Sequence, residues 1–227
     1  MKPKVFAILL VLSLALVSAG TAREASAKKD VAYYRETAAS CENAYAESRP
    51  PRPDLLYSAA VCRFQAKEFQ KALSIFNQLI TAHPKAVSCS QKELLVHILF
   101  SLEFWQQTLP VLEGLALGTA PPKQKQWQEV LLHQYLFLKM DQRAQAYAES
   151  LTRTDPLEPK WWKALCHIHL NQNQLKKGLT ALIIYGYLTP MTQEDLQLTA
   201  DLYRGLNLPD KAAQIEKQIN PITRKVL

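Results

Sequence analysis

Cys166, His167 and His169 form the densest cluster of potential metal ligands in the sequence. Zinc usually requires four convergent ligands, so a Cys-x-x-His-type trio on one short stretch falls short of a site. Glu103, Glu113, Glu129 and Glu149 are the carboxylates that could work as acid and base. No second carboxylate is spaced to share a site with any of them, and all four read as solvated faces. The sequence holds no HExxH, GxSxG, Walker loop or CxxC. The expectation is a chain that is not an enzyme, with no cofactor and no metal site, and with a metal- or small-ligand-binding protein as the alternative of another class. Four cysteines remain for structural use: Cys41, Cys62, Cys89 and Cys166.

The elements that would position these residues are helical. Of 227 residues only six are glycine, too few for a Rossmann, P-loop or turn-rich β fold. Leu, Ala, Gln and Lys dominate, and these favour helices. At 48% hydrophobic and 21% charged, the composition is that of a folded domain. Residues 1–22 read as a secretory signal: Lys2 and Lys4, an apolar run from Val5 to Val17 broken only by Ser13, then Ala19 and Ala22 as cleavage points. The run is short of the roughly 20 residues a membrane span needs. No integral membrane segment is expected after cleavage, and the mature chain is expected to be exported, soluble and periplasmic. Losing Lys2 and Lys4 lowers the formal charge from +7 to +5. Without longer Lys/Arg runs, nucleic-acid binding is not indicated.

The sequence repeats itself. With residue 53 as position 1, Leu56, Ala59, Ala60, Ala72, Phe76 and Pro84 stand at 4, 7, 8, 20, 24 and 32. From 159 the register returns as Trp162, Leu165, Cys166, Gly178, Leu182 and Pro190, and from 193 as Leu196, Ala200, Tyr203 and Ala212. A weaker copy from 125 carries Leu131, Tyr135, Ala144 and Pro156. The weakest, from 89, carries Leu95, Leu112 and Leu115, with Thr108 in place of the small residue. Small residues at 8 and 20 let two helices approach. Bulky residues at 4, 7, 11 and 24 fill the space between units, and the proline stops the second helix.

This pattern resembles the tetratricopeptide repeat, a 34-residue pair of antiparallel helices. The resemblance implies an all-α, right-handed solenoid of about five hairpins. Its parts would be a linker and capping helix over 23–52, repeats over 53–220 and a tail over 221–227. Cys166 then fills the small position 8, His169 the core position 11 and Trp162 the core position 4. Prolines 50, 51 and 53 separate the capping helix from the first repeat. Cys41 and Cys62 lie almost symmetrically about that turn, which predicts a disulfide between them, with two small buried thiols as the alternative.

The resemblance also implies a concave groove lined by the first helix of each unit. Its residues here are Tyr57, Phe64, Glu93, His97, Phe100, Glu129, His133, Phe137, Lys163, His167, Asn171, Asp201 and Arg204. A mixed aromatic and polar groove of this kind suits a protein or peptide partner. It lacks the Lys/Asn/Arg pattern of repeat proteins that clamp a C-terminal carboxylate. His97, His133 and His167 share position 9. Either that position tolerates polar residues, or the three form a stripe that charges near pH 6.5. Glu158-Pro-Lys-Trp-Trp and Asp201 to Lys217 further resemble periplasmic repeat proteins of TonB–ExbB–ExbD systems. That likeness implies an accessory role in energy transfer to outer-membrane receptors.

Overall fold

The computed structural model describes residues 31–219, and all eleven elements of regular length among them are α-helices. The expected signal peptide and the tail over 221–227 lie outside the described residues. Helix α1 is Val31–Glu47, the capping helix. The first repeat is α2 (Pro53–Gln65) and α3 (Phe69–Ala82), and the second is α4 (Cys89–Ser101) and α5 (Leu109–Gly118). The third comprises α6 (Lys123–Phe137) and α7 (Asp141–Thr154), the fourth α8 (Pro159–Asn171) and α9 (Leu175–Leu188). The last is α10 (Gln193–Gly205) and α11 (Pro209–Ile219).

Local chemistry sets these boundaries. Proline occupies the first turn of α2, α5 and α8, where its missing N–H costs nothing. Ser88 with Gln91, and Thr192 with Asp195, form reciprocal capping boxes at the starts of α4 and α10. Each first helix ends on a left-handed residue: Lys67 (φ 59°), Glu103 (58°), Lys139 (55°), Asn173 (57°) and Asn207 (57°). Every one of them is position 15 of its repeat. Around four of them the backbone makes the same pair of closing bonds. Lys67 N–H donates to Phe64 O and Glu68 N–H to Arg63 O, and the bonds recur at 103–104, 173–174 and 207–208.

The described chain falls into two compact units, up to Leu138 and from Lys139 onward, with the division between the two helices of the third repeat. In the first unit, Leu56, Ala59, Ala60, Ala72, Phe76, Leu79, Leu95 and Ile98 form one buried cluster. Cys41 and Tyr45 of α1 pack against it. The second repeat departs from small-on-small packing. Val96 at position 8 and Thr108 at position 20 are both fully buried, and the Thr108 hydroxyl donates to Phe104 O at 2.9 Å.

Polar links complete the attachment of α1. The Arg63 guanidinium lies 2.7 Å from Glu42 of α1 and 2.8 Å from Glu68 before α3, and Arg35 of α1 reaches Glu68 at 3.0 Å. The Tyr45 hydroxyl and His83 Nε2 are 2.8 Å apart. Cys41 and Cys62, between which a disulfide is expected, are both partly buried, and Cys41 packs against the apolar cluster.

In the second unit, Ala144, Ala148, Cys166, Gly178, Ala200 and Ala212 supply the buried small positions. At Gly178 the helices approach closely: a Cβ there would stand 2.6 Å from Leu170 Cδ2 and would have to displace that leucine side chain. The core tryptophan of the fourth repeat is Trp161, at position 3, and not Trp162 as the register predicts. Trp162 stays partly exposed and donates from Nε1 to Pro156 O at 2.8 Å, a turn contact that uses its polar edge. His169 is buried, as its core position implies.

Candidate partner-binding faces

Within the first unit, the first helices α2, α4 and α6 carry an aromatic row. Phe64 lies 6.4 Å from the His97 ring, Phe100 lies 5.6 Å from Trp105, and Trp105 lies 5.1 Å from Phe137. Buried Gln134 donates to the Trp105 backbone carbonyl at 2.9 Å and ties that turn to α6. Phe64, Trp105 and Phe137 keep part of their surface exposed, whereas Phe100 is only 5% exposed. Phe100, expected as a groove residue, is therefore core. Its side chain supports the row from beneath, because Val96 and Leu99 draw that flank of α4 inward. Trp105, in the turn after α4, takes the accessible place. Trp105 stands outside the repeat positions that the sequence register defines, so the register gives no signal for it.

The position-5 residues pair with neighbours. Glu93 holds the Lys123 ammonium at 2.9 Å and 3.1 Å. Tyr57 is partly buried, and its hydroxyl pKa is raised by burial and by the nearby Glu93 charge. His97 and His133 are partly buried. Burial lowers the pKa of each, and Glu93 and Glu129, one turn away on the same helices, only partly offset this. Burial therefore disfavours the charged form of both imidazoles relative to a free histidine. Glu113, expected as a solvated carboxylate, instead accepts the Tyr135 hydroxyl at 2.6 Å.

In the second unit, Lys163 sits 2.9 Å from Asp195 and 5.1 Å from the Tyr185 ring centre, which holds its ammonium in place. His167 is exposed one turn beyond, its pKa lowered by partial burial and by Lys163. Burial raises the Cys166 thiol to about 11, with the Asp195 charge adding to it, so this cysteine is an inert packing group. Asn171 is exposed. Asp201 and Arg204 form an ion pair, and Arg204 also reaches Glu216 of α11. No group of three or more His, Cys, Asp or Glu among the described residues is arranged to hold a metal ion. None of the described helices is long and apolar enough to cross a membrane.

Paired helices recurring every 34–36 residues, with small residues at 8 and 20 of three repeats and a left-handed residue at 15 of all five, define a tetratricopeptide-repeat fold. Solved structures share it. MamA is 13% identical, matches 77% of this chain and 97% of its own, and superposes with a TM-score of 0.54. YrrB, described as a TPR protein with an unusual peptide-binding site, is 12% identical over 83% of this chain and 94% of its own, with a TM-score of 0.53. No protein-family model matches the chain, and no curated protein matches it.

Proposed function

We propose that this chain is a non-catalytic, exported scaffold that binds a protein or peptide segment on its first-helix faces. The observation that carries the reading is the aromatic row of the first unit. Three successive first helices place Phe64, His97 and Phe137 on it, with Trp105 presented from a turn, and part of that surface is left to solvent. Partly exposed aromatic groups of low side-chain entropy are suited to anchoring a partner. The peptide-binding site described for YrrB, on the same fold, supports the reading. Export rests on the Lys2–Ala22 sequence pattern, and the TonB-linked role rests on the two C-terminal stretches.

The test is capture of partners from envelope extract by wild type and by a Tyr57→Ala/Phe64→Ala/Phe137→Ala protein. Loss of a partner from the variant, with helicity unchanged, supports the groove. An unchanged set of partners rejects it. The TonB-linked role requires that a deletion strain lose receptor-dependent uptake, and normal uptake removes that role while leaving the scaffold.

A further inference from the structure

Ala38, Cys41 and Tyr45 share one stripe of α1, at i, i+3 and i+7. Ala38 is fully buried, and Cys41 and Tyr45 pack against the apolar cluster of the first repeat. Ala59, Cys62 and Ala66 repeat that spacing along α2 and its C-cap, and both alanines are buried. Arg63, next to Cys62, reaches across to Glu42, next to Cys41, at 2.7 Å. That ion pair sets the register of the antiparallel helices. Each cysteine stands one residue before its neighbour in the pair, which offsets the two by about 3 Å along the helix axes. Alanines on both stripes allow the axes to lie within the usual packing range of roughly 8–10 Å. With Cα atoms about 2.3 Å from each axis, the cysteine Cα atoms then come to about 4.5–6 Å, a separation that a disulfide spans. Both cysteines also keep part of their surface exposed to a reagent.

We infer that Cys41 and Cys62 are a redox pair whose oxidation staples the capping helix to the first repeat. Two thiols become one disulfide. The two electrons and two protons pass to a small-molecule disulfide such as oxidised glutathione, which leaves as two thiols. The staple matters here because α1 fully buries only Ala38 and otherwise leans on the ion pairs of Arg35 and Arg63. The pair stands or falls whatever partner the aromatic row takes.

The experiment equilibrates the full chain with reduced or with oxidised glutathione, alkylates it in denaturant and maps the peptides without further reduction. After oxidised glutathione, peptides joined through Cys41 and Cys62 of one chain are expected, with Cys89 and Cys166 alkylated. Amide exchange over α1 should be severalfold slower in the oxidised protein than in the reduced one, while exchange in α8–α11 stays the same. Cys41→Ser/Cys62→Ser should show the faster α1 exchange in both buffers. Because the wild type is compared in two redox states, the result does not depend on how well that variant folds. Alkylation of both cysteines after oxidation, glutathione adducts in place of the bridge, or a bridge between two chains overturns the pair. A bridge that leaves α1 exchange unchanged overturns the staple.

Discussion

The Lys163 ammonium lies 2.9 Å from the carboxylate of Asp195, and that carboxylate also caps α10 through Thr192. One side chain of α10 therefore completes its own helix start and holds a residue of α8, which in turn lies over the Tyr185 ring of α9. Asp195 is 4% exposed, so its charge is tolerable only because these partners surround it.

Replacing Asp195 is expected to damage the second unit measurably. Asp195→Ala removes the reciprocal half of the capping box and leaves Lys163 without its anion, at a cost of about 1–2 kcal/mol in urea unfolding. Asp195→Asn retains hydrogen-bonding capacity at the cap and should lose about half as much. Burial pushes the Asp195 carboxyl up, but hydrogen bonds from Lys163 and Thr192 outweigh it and leave the pKa below the ordinary value. A depressed folded pKa contributes stability that is present above the unfolded value, near 3.9, and lost as pH falls through the folded one. The acid limb of wild type should therefore be steeper than that of Asp195→Asn. Superimposable limbs would remove the carboxylate from the account.

The histidines of the first unit act in the opposite sense to a stripe charging near 6.5. Burial lowers both His97 and His133, so the folded form disfavours their protonation. The unfolded chain then binds more protons below about pH 6.5, and stability should fall as pH drops from 7 to 5. His97→Gln/His133→Gln should flatten that slope in denaturant titrations at pH 5, 6 and 7. The imidazole resonances should titrate below the unperturbed value, and a midpoint at or above 6.5 would reject the burial argument.

The hairpin register was legible because small residues stand at positions 8 and 20 of the first, fourth and last repeats, as at Ala60 with Ala72 and Ala200 with Ala212. Repeat starts read at 53, 89, 159 and 193 coincide with helix starts, and only the third begins two residues early, at Lys123. Burial within a register was less legible. Trp161 and Trp162 are adjacent and chemically equal, and the sequence does not show that Trp162 will find the Pro156 carbonyl at the surface. Phe100 is an aromatic residue at an inner position, and nothing in the sequence says that Trp105 will lie over it. Ion pairs between distant residues, such as Glu42 with Arg63, leave no periodic trace.

Arg63 is the hub that fastens the capping helix. Its side chain is 12% exposed and touches Glu42 of α1 and Glu68, which in turn takes Arg35 of α1. Only Ala38 is buried among the residues of α1, so apolar burial alone fastens this helix weakly. Arg63→Met should keep the volume but release Glu42 and Glu68. Amide exchange over α1 should then accelerate while exchange in α4–α6 stays unchanged. Uniform acceleration throughout the first unit would show that Arg63 supports the whole core and not the cap alone.

The left-handed residues offer the cleanest stability test, because none of the five is glycine. A non-glycine residue there bears a Cβ close to its carbonyl, at a cost of about 1 kcal/mol that glycine avoids. Asparagine tolerates the conformation better than lysine or glutamate. Lys67→Gly, Glu103→Gly and Lys139→Gly are therefore each expected to stabilise the protein. The net gain should be about 0.5 kcal/mol once the extra freedom of glycine in the unfolded chain is charged against it. Asn173→Gly and Asn207→Gly should gain less. Alanine at the same sites should gain nothing, since it retains the Cβ. Urea midpoints for the five glycine and five alanine variants would decide it. Stabilisation by alanine equal to that by glycine would show that side-chain effects, and not the backbone conformation at position 15, set the difference.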